Sequence, residues 1–251
     1  MSQTAEYILL FAVGALAGVI NVIAGGGSFL TLPVLIFVGL PPTVANGTNR
    51  IAILLQNIGA VWSFHRREVL DWASLRWAAL PATAGSFLGV WFALNVSDAL
   101  FQRMLAIFMA ILALWIFWAP ERGSASFAGR DGGALRRLLL ILAFFLVGVY
   151  GGFVQAGVGF LILAATTEAG FDLVRGNAVK VLCILFFTAI SIGGFLLEGR
   201  VEWVPGLWLG AGSLIGGLLG VHWTVAKGHE WVKRFVTAAI LVFAVLLWTT
   251  G

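Results

Sequence analysis

The first candidate binding residues lie near the start of the chain, where glycines interrupt an apolar helical segment. Three successive glycines, Gly25, Gly26 and Gly27, free the backbone and remove side-chain bulk, while Ser28 can cap the helix that follows. Unpaired amides at such a helix start carry partial positive charge and can approach an anion closely. With Asn21 just before them, these residues predict one half of a small-anion site. The alternative is that the glycines only allow helices to cross tightly, which is the role that the spacing predicts for Gly85-x-x-x-Gly89 and Gly212-x-x-x-Gly216-x-x-x-Gly220.

A polar cluster, Asn46-Gly47-Thr48-Asn49-Arg50, opens a further helical segment after Pro41 and Pro42, and Thr48, Asn49 and Arg50 are its candidate binding residues. We expect Arg50 on the first turn of that helix, where the helix dipole disfavours a cation unless an anion or a carboxylate lies near it. A bound anion would satisfy both the helix start and the guanidinium. The alternative is that Arg50 reaches lipid phosphates at a membrane boundary.

A second candidate set occupies matching positions later in the chain. Gln155, Gly157 and Gly159 correspond to the first glycine break, and Asn177 with Lys180 correspond to the polar cluster. Lys180 is again a cation expected at a helix start, and the same lipid-phosphate alternative applies to it. Two such breaks at equivalent positions favour a shared binding site in the interior of the protein.

Gln56 and Asn57 fall near the middle of an apolar helical segment and complete the candidate binding residues. Buried amides there either contact substrate or hydrogen-bond a neighbouring helix. No nucleophile–base pair, metal-ligand cluster or nucleotide-binding loop stands out, so we expect no catalytic residues, no metal and no cofactor. The lone Cys183 excludes an intrachain disulfide. We expect no nucleic-acid partner, and the pI of about 9.8 is attributed to loops that face anionic lipid.

The elements that position these residues are repeated. Residues 64–118 reappear at 195–249 with a constant shift of 131 positions, which identifies one unit made twice. Identical pairs join Phe64, Trp72, Gly85, Gly89, Val90 and Arg103 to Phe195, Trp203, Gly216, Gly220, Val221 and Arg234. In a membrane chain, duplication with glycine-broken segments at matching positions is typical of a transporter whose site lies between two halves.

Composition indicates a membrane protein, because 61% of residues are hydrophobic and only 10% are charged. The sequence predicts an all-α polytopic fold of two inverted repeats, each a glycine-broken helical hairpin followed by three transmembrane helices. The first repeat spans residues 1–118 and the second 138–251, with a cytoplasmic linker at 119–137, and both form one transport domain. The predicted segments lie at 5–24, 28–40, 47–65, 73–94, 99–118, 138–156, 160–170, 176–197, 203–224 and 230–250.

The distribution of lysine and arginine predicts the orientation of the repeats, because cytoplasmic loops carry the excess. If residues 5–40 ended on the side of the membrane opposite to where they began, the 15 basic residues would divide into 8 and 7, with no bias. If residues 5–40 instead return to the side where they began, as a re-entrant hairpin or as two crossings, 12 lie on one side: Arg66, Arg67, Arg76, Arg122, Arg130, Arg136, Arg137, Arg175, Lys180, Lys227, Lys233 and Arg234. Arg50, Arg103 and Arg200 lie on the other. The second arrangement places both termini outside and the halves in opposite orientations.

The chain resembles the sulfite exporter TauE/SafE family of bacterial sulfite and organosulfonate permeases. The resemblance rests on the stretch from Asn21 to Leu30, on Leu32-Pro33, on Gly47-Thr48-Asn49 and on the repeated architecture. The chain departs from the family where a Gly-Thr-Ser-like stretch is common and this sequence reads Gly176-Asn177-Ala178. The resemblance implies a sulfur oxyanion as substrate, whereas the residues alone indicate only a small oxyanion.

These observations predict a multi-pass secondary transporter of the bacterial inner membrane that moves a small sulfur-containing anion by alternating access. Its partners are the anion and the lipid bilayer; protons are a candidate coupling ion, and a homo-oligomer is left open. One alternative is an anion channel with the same site. Another is a membrane-embedded enzyme, which the lack of a recognisable catalytic group disfavours.

Overall fold

The computed structural model describes residues 2–118 and 134–250, and within these ranges the chain is helical with no β-strand. The predicted all-α class is confirmed. The first half contains α1 (Gln3–Ile23), α2 (Ser28–Phe37), α3 (Pro42–Arg66), α4 (Leu80–Leu94) and α5 (Asp98–Trp118), with a π-helical turn at Leu75–Ala79 before α4. The second half contains α6 (Ala134–Phe153), α7 (Val158–Glu168), α8 (Leu173–Leu197) and α9 (Trp203–Thr250).

Five helical stretches in the described ranges are long and apolar enough to span a bilayer: Gln3–Ile23, Leu75–Leu94, Ala134–Phe153, Leu173–Leu197 and Trp203–Gly228. The protein is therefore a multi-pass membrane protein. Two apolar helices, α2 and α7, are much shorter. At 1.5 Å per residue, the ten residues of α2 cover only about 15 Å, half of a hydrocarbon layer, so each half holds one short helix that begins in the interior of the protein.

The first helix of each half packs against a helix of the other half. α1 lies along α9, and α6 lies along α4. Glycines make both contacts close, because a β-carbon at Gly85 or Gly89 would overlap carbonyl oxygens of α6, and one at Gly212 or Gly216 would overlap those of α1. The prediction that these spaced glycines serve tight helix crossing is confirmed. Each half therefore packs its first helix closely against a helix of the other half.

The most polar helix, α3, is buried at the centre of the bundle, where it packs against α8 and α9. Pro42 fixes its start, because proline is favoured at the first helical position. Arg50 consequently lies in the interior of α3, and the expectation that it occupies the first turn is wrong. Lys180 is likewise displaced into α8, which begins after Asp172 accepts hydrogen bonds from the amides of Val174 and Arg175.

The predicted linker, 119–137, falls mostly outside the described residues, and its positions 134–137 form the first turn of α6. The other predicted boundaries agree with the helices to within a few residues. Gly228 has non-helical backbone angles (φ 73°, ψ −170°) inside α9, and it separates the two segments predicted at 203–224 and 230–250.

Candidate functional site

The two glycine breaks meet in the interior of the protein. A β-carbon built on Gly25 would lie 2.6 Å from the α-carbon of Gly159, and one built on Gly159 would overlap the backbone of Gly25. Gly25 and Gly157 both adopt positive φ, 100° and 71°, which glycine tolerates at little cost because it has no β-carbon. Gln155 has a φ of 66°, an unusual value for a residue with a side chain. The predicted pairing of the two breaks is thus a direct contact between backbones.

Free backbone amides line the breaks. The amides of Gly26, Gly27 and Ser28 donate to no acceptor in the described ranges, and the same is true of Gly157 and Gly159. Buried amides of this kind are rare unless a ligand or water completes them. This supply of donors is what the glycine-rich sequence predicts for an anion site.

The role expected for Ser28 is different from the one observed. The residue before α2, Gly27, is its cap position, and no side chain caps this helix. The hydroxyl of Ser28 instead accepts a 3.4 Å hydrogen bond from the amide of Asn49, whose oxygen accepts a 2.7 Å bond from Thr31. These contacts tie α2 to α3 and hold the first break against the central helix.

Asn46 in the first half and Asn177 in the second half make equivalent hydrogen bonds. Each donates to the last carbonyl oxygen of the helix that precedes the glycine break in the opposite half. The amide nitrogen of Asn46 donates to the carbonyl oxygen of Phe153, the last residue of α6, at 2.8 Å. Asn177 donates to the carbonyl oxygen of Ile23, the last residue of α1, at 3.1 Å. The two asparagines are related by the same 131-position shift as the repeat, although Asn46 was not among the predicted binding residues. Applying the shift to every polar residue would have identified it.

Arg50 lies beside the second break and is completely buried. Its guanidinium donates to the carbonyl oxygens of Gly152 at 2.6 Å and Gly151 at 3.3 Å, near the end of α6. The guanidinium carbon lies 4.6 Å from the centre of the Phe195 ring. Its Nε is buried and has no partner. Arg50 therefore retains a donor that the protein itself does not satisfy.

Lys180 occupies the equivalent place beside the first break, and it is also completely buried. Its ammonium donates to the carbonyl oxygens of Asn21 at 2.9 Å and Val22 at 2.7 Å, and to the side-chain oxygen of Asn177. An ammonium has three N–H donors, so all three are used. The two half-sites consequently differ, because Arg50 has a spare donor and Lys180 has none.

The electrostatic setting of these two cations is unusual. Each sits at the carboxyl end of the first helix of the other half, where the dipole favours a cation by at most about 2 kcal/mol. Burying an ion costs several kcal/mol even after the protein relaxes. Neither cation has a carboxylate within ion-pair distance in the described ranges, and the buried polar side chains there include no Asp, Glu or His. The centre of the protein therefore carries positive charge that only polar groups offset.

The other predicted amides lie around the same breaks. Asn21 donates to the side-chain oxygen of Gln56 at 3.3 Å, which is the interhelical hydrogen bond that the sequence left as an alternative. Asn57 donates within its own helix to the carbonyl of Ile53 at 2.7 Å. Gln155 donates to the hydroxyl of Thr188 at 2.7 Å. Buried side-chain oxygens of Asn57 and Gln155 have no partner, so both amides can take a further contact.

Thr48 was predicted to be a binding residue, but its hydrogen bond is made with a residue outside the two breaks. Its hydroxyl accepts a 2.9 Å hydrogen bond from the amide of Glu202, in the connection between α8 and α9. The nearby Thr43 donates to a carboxylate oxygen of Asp98 and accepts from Arg200, each at 2.6 Å. This polar junction was not predicted, because its members are far apart in the sequence and none of them shows a motif.

Comparison with known proteins gives a consistent family assignment. The family model described as "Sulfite exporter TauE/SafE" matches residues 10–247. A "Probable membrane transporter protein" of Haemophilus influenzae is 31% identical over 91% of this chain and 89% of its own length. "Probable membrane transporter protein ORF9" of a Sinorhizobium species is 29% identical over 98% and 95%. "Probable membrane transporter protein YfcA" of Escherichia coli K12 is 29% identical over 95% and 87%.

No solved structure gives a significant match to this chain. The family and the names of the relatives are those of transporters and not of enzymes. The match extends over both halves and includes every residue of the two breaks. The chain therefore belongs to the sulfite exporter TauE/SafE family of membrane transporters.

Proposed function

We propose that the protein is a secondary transporter of a small sulfur oxyanion, of the sulfite or organosulfonate type, in the bacterial inner membrane. The anion binds where the two glycine breaks meet, between the backbone amides of Gly26, Gly27 and Ser28 and the guanidinium of Arg50. The observation that carries this proposal is the buried, unpartnered Nε of Arg50 in a region of positive charge without a described carboxylate. A planar guanidinium suits an oxyanion because it offers donors in a fixed fork.

The selectivity expected of this site follows from its donors. Amide and guanidinium N–H groups bind oxygen atoms that carry negative charge, and they do not discriminate between the other substituents of the anion. Sulfite and the sulfonate group present the same three oxygens on sulfur. The family name supports sulfite among these anions.

Transport requires that the site open alternately to the two sides. In the proposed mechanism the two halves rock against each other about the contact of Gly25 with Gly159. Both breaks are buried in this conformation, so alternating access requires that they become exposed to each side in turn. The inverted orientation, with both termini outside, is part of the proposal.

Proton coupling is a further part of the proposal. The buried side chains of the described ranges include no carboxylate or imidazole that could carry a proton. We therefore assign a coupled proton to the anion itself. Import and export are equally compatible with this arrangement.

The test is a flux assay in proteoliposomes with radiolabelled sulfite, sulfoacetate, thiosulfate and sulfate, each with and without a pH gradient. We expect saturable, gradient-sensitive flux of the sulfite or sulfonate type that Arg50→Gln abolishes. Arg103→Gln is the matched control, because Arg103 is exposed on α5. Equal flux in Arg50→Gln would remove Arg50 from the site. Currents that do not saturate and ignore an opposing gradient would instead identify an anion channel.

A further inference from the structure

A groove at the surface of the protein is lined by none of the residues of the two breaks. It has a volume of about 590 Å³ and is bounded by the π-helical turn before α4, the first two turns of α6 and the end of α7. A second cavity of about 480 Å³ continues it along α6 and shares Arg137 and Ile141 with it. The lining includes Arg76, Trp77, Arg136, Arg137, Leu140 and Ile141.

Three arginines from two helices converge on this groove. Arg136 is fixed, because its guanidinium donates to the carbonyl oxygen of Glu168 at 2.9 Å, at the end of α7. Arg76 and Arg137 are exposed, and neither has a hydrogen bond or an ion pair to any described residue. Arg136 and Arg137 also lie in the first turn of α6, where the helix dipole disfavours a cation. An anion in the groove would offset this concentration of positive charge.

The rest of the groove is apolar. Trp77 packs edge-on against Phe144 and tilted against Phe171, with centroid distances of 5.3 and 5.6 Å, and these rings hold the wall of the groove rigid. Beyond the arginines, Leu138 and Leu142 are 61% and 49% exposed and lie one helical turn apart. This part of α6 belongs to a predicted membrane span, so its exposed leucines face acyl chains.

We propose that this groove binds the headgroup of an anionic phospholipid. The phosphodiester lies between Arg76 and Arg137, and the acyl chains follow Leu138 and Leu142 along α6. A basic pocket between membrane helices is the arrangement that recognises such headgroups. The bound lipid joins the π-helical turn of the first half to α6 and α7 of the second, at a point where the two halves meet. This site is independent of the proposed transport site.

Native mass spectrometry of the full chain, purified in mild detergent, tests the proposal directly. The purified protein is delipidated and then titrated with phosphatidylglycerol or with phosphatidylcholine, and the bound lipid is identified by its mass. We expect wild-type protein to retain phosphatidylglycerol and to gain thermal stability from it. The double variant Arg76→Gln/Arg137→Gln should bind this lipid on the order of thirtyfold more weakly, because each basic residue contributes roughly 1 kcal/mol.

The matched control is Arg66→Gln/Arg175→Gln, which removes the same charge from exposed positions outside the groove. We expect it to bind phosphatidylglycerol like wild type. Equal weakening in both double variants would show a general charge effect and would overturn the proposal. Unchanged binding in Arg76→Gln/Arg137→Gln would also overturn it. So would an equal thermal shift with inorganic phosphate or glycerol phosphate, because a lipid site requires the acyl chains.

Discussion

Gly25 and Gly159 touch across the centre of the protein, and neither position has room for a methyl group. A β-carbon on Gly25 would lie 2.6 Å from the α-carbon of Gly159, although the two residues are separated by most of the chain. Gly25 lies in the break before α2, and Gly159 is the second residue of α7, directly after the other break. The contact therefore brings two helix starts together at the point where the halves of the molecule meet.

Gly159→Ala tests whether this contact is required for transport. We expect it to destabilise the protein by about 1–3 kcal/mol, as overpacking does, and to reduce flux, because the two breaks must separate to accommodate the methyl group. The measurements are thermal unfolding in detergent and the proteoliposome assay. Gly39→Ala is the control: Gly39 has a φ of 103° but open space around its α-carbon, so its substitution introduces strain without overlap. Normal flux in Gly159→Ala would contradict the proposed role of the contact.

Arg50→Lys separates charge from geometry at the proposed binding site. The variant retains the positive charge but loses the guanidinium fork, including the unpartnered Nε. We expect at least a roughly tenfold fall in flux, equivalent to about 1.4 kcal/mol, with little change in unfolding temperature. A variant that transports like wild type would show that Arg50 contributes only its charge.

Lys180→Met should act on stability, because Lys180 uses all three donors within the protein. Its removal leaves the carbonyl oxygens of Asn21 and Val22 buried without a partner, and each such loss costs about 1–3 kcal/mol. We expect a clear decrease in unfolding temperature in detergent. Lys227→Met, which removes an exposed ammonium, should have little effect. Equal unfolding temperatures in the two variants would contradict the capping role of Lys180.

Asp98→Ala should weaken the start of α3. The side chain of Asp98 accepts from both the amide and the hydroxyl of Thr43, at 3.0 and 2.6 Å, so it caps α3 from another helix. Loss of a helix cap typically costs about 1 kcal/mol. Thermal unfolding would measure the change against Glu198→Ala, which removes an exposed carboxylate. Similar unfolding in both variants would show that the cap contributes nothing measurable.

The inverted orientation can be tested by labelling single cysteines in intact cells. Cys183 is buried, so it should react little with a polar maleimide. We expect Asn95→Cys to be labelled from outside and Ser126→Cys only after the membrane is permeabilised, as the distribution of basic residues predicts. Labelling of both positions from the same side would rule out the proposed topology.

Much of the helical fold could be predicted because its determinants are local. Apolar runs of sufficient length predicted the spanning helices, and Gly85 with Gly89 predicted the close contact with α6. The start of α3 was placed too late, because the polar residues from Asn46 to Arg50 were interpreted as the first turn of the helix. In the structure these residues lie inside a helix, and their side chains form hydrogen bonds with other helices. The local sequence does not predict such long-range hydrogen bonds.

The sequence by itself determined that the chain is a duplicated, all-helical membrane protein with two glycine breaks and a cation near each. Those properties depend on composition, periodicity and residue type, and none of these requires knowledge of the contacts between residues. Only the tertiary structure decided which groups the two cations hydrogen-bond. It placed Arg50 at the carboxyl end of α6 and Lys180 at the carboxyl end of α1. Of these two cations, Arg50 keeps an unpartnered N–H donor and Lys180 does not. Hydrogen bonding between distant segments depends on how the helices pack, and that packing differs between two halves whose sequences are related but no longer equal.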